Sequence, residues 1–195
     1  MPPVALIYAL DASNNREGQE QPSNLIAASL EKYLDEIMDE NGAGMADSDD
    51  LRTCSALCVR FMRWGVIASL EIGAQRAEIR NYGRHSVADW MFHGDLSPMR
   101  EALDADYALL TVFKQARETT GRQVLNVLGG GYTVGKQIDI ACVADLRDGH
   151  MVWCASKKED RHDLGEDDQA RSVLAELLRG LFRVKPPRGP SVTDR

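Results

Sequence analysis

The sequence contains no run of about 18 consecutive apolar residues, which is the length that a transmembrane helix requires. It also has no excess of basic residues, since 23 Lys and Arg stand against 30 Asp and Glu and the formal net charge is −7. A protein that binds the phosphate backbone of nucleic acid needs a basic face, so this charge disfavours that class. It equally disfavours a polybasic protein of membrane surfaces.

The usual patterns of catalytic and metal-binding residues are missing as well. The four histidines are scattered through segments with turn composition, and none forms a His-x-x-x-His pair. No serine lies in a nucleophile-elbow pattern. The acidic run around His162 lacks the spacing of an EF-hand loop, so it is more typical of a solvated loop before a helix than of a cation site. The sequence therefore predicts no catalytic residue, no metal site and no cofactor.

What the sequence does contain is typical of a globular domain of ordinary size. Of its 195 residues, 44% are hydrophobic and 27% are charged, which is enough to bury a core. We expect a single α/β domain over residues 1–183, with a flexible acidic loop at 41–50. A Pro-rich tail at 184–195 is expected to be disordered.

Two periodicities predict the elements of this domain. Runs of apolar and β-branched residues indicate strands, and Asp148-Gly149 is a strong turn signal, so the last two strands form a hairpin. Apolar positions at helical spacing indicate helices. The strands are predicted at 4–10, 107–114, 138–146 and 151–155, and the helices at 22–39, 51–75, 98–103 and 166–182. The predicted fold class is mixed α/β: a small mixed sheet with a C-terminal β-hairpin and helices packed on it.

The register of this hairpin decides whether Cys142 and Cys154 can bond. A two-residue turn at Asp148-Gly149 and a four-residue turn beginning at Leu146 both place the two cysteines on opposite faces. Only a three-residue loop sets them directly opposite each other. The sequence therefore favours two unbonded cysteines over a cross-strand disulfide.

The other two cysteines, Cys54 and Cys58, lie four residues apart in a stripe with helical spacing. Two further ligands with recognisable spacing would be needed to make them a zinc site, and none stands out. Two small apolar residues in the core of a helix are the favoured interpretation, because free cysteine is commonly buried.

A glycine-rich segment imitates a nucleotide-binding loop. Gly130-x4-Gly135-Lys136 has the spacing of a phosphate-binding loop, but Gln137 stands where a magnesium-binding Ser or Thr is needed. The residues that follow are typical of a strand rather than of the helix whose dipole would favour the phosphates. A glycine turn that leads into a strand is the better interpretation, and a nucleotide- or anion-binding loop is the alternative.

The segment 90–182 resembles a family of uncharacterised bacterial lipoproteins. The resemblance rests on an Ala-Asp-Tyr strand start, a Gly-Arg pair, a glycine-rich connector, a sheet segment of the type Asp-Leu-Arg-x-Gly, and a closing helix. Their counterparts here are 105–107, Gly121-Arg122, 129–131, 141–155 and the helix after 163–165. Such proteins are similar in fold to the amino-terminal domain of the Tol translocation protein and to curli-secretion lipoproteins. The resemblance implies an assembly or interaction domain of the cell envelope that faces the periplasm.

The sequence departs from this family at two points. The connector after Arg122 is shorter, and no export signal or lipid-accepting cysteine stands near Met1. Because the family has a strand of the type Val-Leu-Leu-Met-Pro-Pro after its lipidated cysteine, we expect the true start to lie upstream. In that case we expect the protein to be periplasmic and attached to the outer membrane through a lipid anchor in the upstream segment, which this chain does not contain. If no such segment exists, we expect the chain to be cytoplasmic.

The favoured hypothesis is a non-catalytic cell-envelope domain that acts by protein–protein contact, through a sheet edge or the glycine connector. Arg122, Tyr132 and Lys136 are the candidate contact residues, although ordinary solvated loop residues would look the same. The expected partners are envelope proteins, with self-association as a further possibility, no nucleic acid, and membrane attachment only through a lipid anchor. The alternatives are a cytosolic nucleotide- or anion-binding protein that uses 130–136, and a degenerate relative with no retained role.

Overall fold

The protein is described by a computed structural model over residues 3–10, 16–45, 56–78, 90–118, 137–159, 164 and 167–183. It is a mixed α/β fold with five strands and four α-helices among these residues. In chain order the elements are β1 (Val4–Leu10), β2 (Arg16–Gly18), α1 (Glu20–Glu40), α2 (Ala56–Glu78), α3 (Ser97–Leu103), β3 (Tyr107–Glu118), β4 (Gln137–Asp145), β5 (Met151–Glu159), α4 (Asp167–Leu178) and a 3₁₀ turn (Leu181–Arg183).

The strands form one sheet in the order β2-β1-β3-β4-β5. β1 and β3 are parallel, and every other neighbouring pair is antiparallel, so the predicted mixed sheet is confirmed. All four strands predicted from the sequence are present, with β3 and β5 four residues longer than predicted. The short edge strand β2 lies in the polar stretch between the predicted strand at 4–10 and the predicted helix at 22–39, where the sequence predicts no strand.

Helices cover both faces of the sheet. α1 and α4 cover one face, here called the α1 layer, and contact Leu109, Phe113, Ala141 and Val143. α2 and α3 cover the other face, the α2 layer, whose sheet residues are Ala108, Leu110, Ile140, Cys142, Ala144, Met151 and Cys154. Because successive side chains of a strand point to opposite faces, the central strand β4 is buried almost throughout.

The hairpin corrects the prediction for Cys142 and Cys154, which are directly opposite each other and form a disulfide with a Cα–Cα distance of 4.0 Å. The turn is the four-residue alternative, closed by the amide of Asp145, which donates to the carbonyl of His150 at 2.8 Å. A β-bulge next to Val143 then shifts the register by one residue. This one-residue shift brings onto one face two cysteines that the turn alone would separate.

The interpretation of Cys58 as a free core cysteine is half right. Its side chain is buried in the α2 layer, as the helical stripe predicts. It is also disulfide-bonded, so it is neither a free thiol nor half of a metal site. Cys54 lies outside the described residues.

Two glycines permit close approaches that fix the α2 layer on the sheet. A Cβ atom at Gly65 would lie 2.7 Å from the side chain of Leu110, so a glycine there lets α2 pack closely on β3. Gly149 has a φ of +79°, and a Cβ atom there would lie 2.6 Å from the carbonyl oxygen of Phe92. That approach allows the amide of Phe92 to donate to the carbonyl of Gly149 at 2.9 Å.

The four predicted helices are present with shifted ends. α1 begins two residues earlier than predicted, and α4 is followed by the separate 3₁₀ turn rather than continuing to Phe182. Most of the acidic loop at 41–50 and all of the tail at 184–195 lie outside the described residues, so those two predictions stay predictions.

Candidate functional site

Two of the sequence motifs behind the family resemblance meet at one end of the sheet. Tyr107, which begins β3, is the register partner of Asp145 at the end of β4. Arg147, in the hairpin turn, donates from Nε to both carboxylate oxygens of Asp145 at 2.9 and 3.1 Å. Its Nη2 donates to Asp145 Oδ2 at 2.5 Å and to the hydroxyl of Tyr107 at 2.8 Å. The Ala-Asp-Tyr and Asp-Leu-Arg segments therefore form one cluster.

The electrostatics of this cluster follow from the Arg147 side chain. Hydrogen bonding to the guanidinium holds the pKa of Asp145 below its ordinary value, and the same pairing raises the pKa of Arg147. The Asp145 carboxylate also accepts the backbone amide of Arg147 at 2.9 Å, as in an Asx turn. Both carboxylate oxygens are thus occupied by partners within the hairpin, so the cluster fixes the turn and offers no free acid or base.

A surface depression of about 330 Å³ lies beside this cluster, lined by Arg100, Glu101, Asp104, Ala105 and Asp106. Arg100 Nε and Asp106 Oδ1 form an ion pair at 2.7 Å, with both side chains about half exposed. The depression has no buried polar atom directed into it among the described residues, so it has the properties of an ordinary surface groove.

The one fully buried acid in the described part of the chain is Asp139 on β4, whose side chain faces the α1 layer. Gln137 donates from Nε2 to Asp139 Oδ2 at 2.7 Å. Asp139 Oδ1 and Gln137 Oε1 have no hydrogen-bond partner within the described structure. Lys157, its register partner on β5, forms an ion pair with Glu176 of α4 instead.

Burial raises the pKa of Asp139 from 3.8 to about 7, and the hydrogen bond from Gln137 and the charge of Lys157 offset only part of this effect. A carboxyl group with such a pKa is often a general acid or base. Asp139, however, is 0% exposed, and its six-residue separation from Asp145 along β4 places it roughly 20 Å from the surface depression. Because its side chain has no exposed surface, we interpret it as a buried, proton-binding core residue.

The outer face of α2 exposes two large apolar side chains. A helix that covers a sheet normally carries polar residues on its solvent side. On α2, Val59 is 40% exposed and Ile67 is 61% exposed, with the exposed Arg60 and Arg63 between them. We call these four residues the α2 outer face. Met62, Val66 and Leu70 flank it and are only half buried, so apolar surface surrounds the two arginines.

The sequence did not single out the α2 outer face, although the signal was there. Apolar residues occur all around the helix from Cys58 to Ile72, a pattern that periodicity alone cannot divide into a buried and an exposed side. The three predicted contact residues, Arg122, Tyr132 and Lys136, lie outside the described residues. So does the glycine loop at 130–136, and both predictions stay predictions.

Two further observations concern the described residues alone. No group of three or more His, Cys, Asp or Glu side chains in these ranges is arranged to hold a metal ion. None of the helices described here combines the length and the apolar character needed to cross a membrane.

Comparison with known proteins gives one weak structural neighbour. No protein-family model matches the sequence. No curated protein matches it either. The fold is similar to the crystal structure of lipoprotein GNA1162 from Neisseria meningitidis, with a TM-score of 0.34 and 12% sequence identity over 95% of this chain and 100% of that one. Similarity at this level carries no argument about function.

Proposed function

We propose that this protein is a non-catalytic domain of the cell envelope that acts by contact with another protein. The observation that carries the proposal is the α2 outer face. Ile67 and Val59 expose apolar surface on a helix whose opposite side already packs on the sheet. Exposed apolar residues grouped on one face are typical of an interaction surface, whereas single ones are common on any protein.

The location in the envelope is supported by the cysteines. Cys142 and Cys154 form a disulfide, and Cys58 is disulfide-bonded as well. Disulfides persist in oxidising compartments and are rare in the cytosol. The resemblance of residues 90–182 to envelope lipoproteins points to the same compartment.

The proposal that the domain is non-catalytic rests on the hydrogen bonds and the burial of two acidic side chains. The carboxylate of Asp145 is held by Arg147, and Asp139 is enclosed between the sheet and its covering helices. Neither group is available to a substrate. A contact function needs no such group, since affinity comes mainly from a few well-packed apolar and arginine side chains.

Replacing Ile67 with Glu tests the contact function. We expect the protein extracted gently from its native cells to sediment as part of a complex. The Ile67→Glu variant should lose about 2 kcal/mol of contact energy, roughly thirtyfold in affinity, and sediment alone. The matched control is Val152→Glu, because Val152 is also an exposed apolar residue, at 52%, but lies on β5.

This control should leave the complex intact. A wild-type protein that sediments alone would contradict the proposal, as would an Ile67→Glu variant that remains in the complex. Circular dichroism of both variants checks that each is folded.

A further inference from the structure

We infer that the partner at the α2 outer face is a second copy of this chain, bound head-to-tail through the outer face of α1. The inference rests on the proposed function, because it names the partner of the same surface. It is carried by charge complementarity between two faces that lie on opposite sides of the sheet.

The α1 outer face is acidic where the α2 outer face is basic. Asp35 and Asp39 are exposed and lie one helical turn apart on the solvent side of α1. The last turn of α1 contains no basic residue, although negative charge near a helix C-terminus is unfavourable. Arg171 of α4 compensates only Glu36 and Glu40, at 3.7 and 2.7 Å.

Four exposed charges are therefore left without an ion-pair partner among the residues that the structure describes. Arg60 and Arg63 on α2, and Asp35 and Asp39 on α1, form no ion pair with any described residue. Unpaired charges on both faces are what a charge-complementary contact between copies would use.

The spacing along the two helices also matches. Arg60 and Arg63 are three residues apart, and Asp35 and Asp39 are four apart, which is about 5 and 6 Å at the helical rise. When the helices run antiparallel, Arg60 lies opposite Asp39 and Arg63 lies opposite Asp35. Ile67, one turn beyond Arg63, then lies over Lys32, and Ala28 is one further turn along α1.

Two exposed residues border this arrangement on α1. Leu25 is 66% exposed and lies two turns along α1 from Lys32, so it adds apolar surface at the far end of the contact. Lys32 lies between Ala28 and Asp35, and its ammonium group is directed to the ring of Tyr33, 5.5 Å from the ring centre. It therefore leaves the acidic positions open to the arginines.

The geometry sets the kind of assembly. α1 and α2 lie on opposite faces of the sheet, so each copy offers both halves of the contact. A contact between two different faces is heterologous, and it produces a ring when the rotation closes and a filament when it does not. A simple two-fold dimer is not expected.

Charge reversal tests the inference with the full chain. We expect the wild-type protein to self-associate in sedimentation velocity, and added salt to weaken the association. Arg60→Glu with Arg63→Glu should weaken it about tenfold or more, and so should Asp35→Arg with Asp39→Arg. Mixing the two variants should restore assembly, because each then presents the charge that the other has lost. Arg179→Glu, an exposed reversal on neither face, is the control and should assemble like the wild type.

The outcomes separate this inference from the proposed function. A wild-type chain that stays monomeric at every concentration overturns the inference, as does a mixture of the two variants that fails to assemble. If the chain is monomeric while Ile67→Glu still disrupts a complex from native cells, the proposed function stands with a different partner. If the monomer instead floats with vesicles of anionic lipid and loses this binding when Arg60 and Arg63 are reversed, the face binds membrane and both proposals fail.

Discussion

Replacing Asp139 with Asn is expected to stabilise the protein by as much as about 4 kcal/mol at about pH 8 and by almost nothing at about pH 4. Burial raises the pKa of the Asp139 carboxyl to about 7 in the folded protein, against 3.8 for the free side chain. Between these two values the folded protein holds a proton that the unfolded chain has released. The free energy of unfolding of the wild type therefore falls as pH rises through this window and is level above it.

Asparagine removes this dependence because it cannot ionise. It can still accept the hydrogen bond from Gln137, and the amide oxygen of Gln137, which has no partner among the described residues, is a neighbouring acceptor. Urea unfolding followed across the pH range measures the effect. Glu101→Gln, on the exposed side of α3 and outside both proposed contact faces, is the control and should leave the fall in stability between pH 4 and pH 7 in place. A wild-type stability that does not fall between pH 4 and pH 7 would contradict the assigned environment of Asp139.

Removing the hairpin disulfide should have the second-largest effect. Cys142 and Cys154 are separated by 12 residues. A cross-link that closes a loop of this size lowers the entropy of the unfolded chain, which stabilises the folded protein by roughly 3 kcal/mol at 25 °C. The double variant Cys142→Ala, Cys154→Ala should lose about that much unfolding free energy. Both positions are buried against the α2 layer, so the loss of the sulfur atoms adds to the cost.

Denaturant unfolding of the two proteins without reductant measures this difference. Reductant added to the double variant then acts only on the disulfide that contains Cys58, which separates the contributions of the two bonds. A double variant as stable as the wild type would show that the hairpin does not depend on the bond.

The elements of the fold could be predicted because their residues have a clear period. In α4, Ala170, Val173, Leu174, Leu177 and Leu178 are buried together, as a helical stripe requires. The hairpin was predictable from Asp148-Gly149 and the apolar runs on either side. The edge strand β2 was not, because three residues in a polar stretch carry no period.

The bulge in the hairpin shows why register is harder to predict than elements. Met151 and Cys154 both lie in the α2 layer although they are three residues apart, an odd spacing that regular strand alternation forbids. That odd spacing was the available signal for a bulge. Without a bulge, any turn of even length puts the two cysteines on opposite faces, which is how the disulfide was missed.

Asp139 was missed for a different reason. It stands between Ile138 and Ile140, and a polar residue between two apolar ones in a strand normally faces solvent. Here the second face of the sheet is covered by α1 and α4, whose positions the sequence does not specify. The α2 outer face was likewise hidden, because apolar residues on both sides of a helix predict burial rather than an open surface.

The central claim is that another protein covers the α2 outer face in the cell, and photo-cross-linking tests it most directly. A photo-reactive amino acid is placed at Ile67 in the native cells, and the same group at Val152 on β5 is the control. We expect cross-links from position 67 to peptides of a protein, and few or none from position 152. Cross-links from position 67 only to lipid, or no more than from position 152, would contradict it.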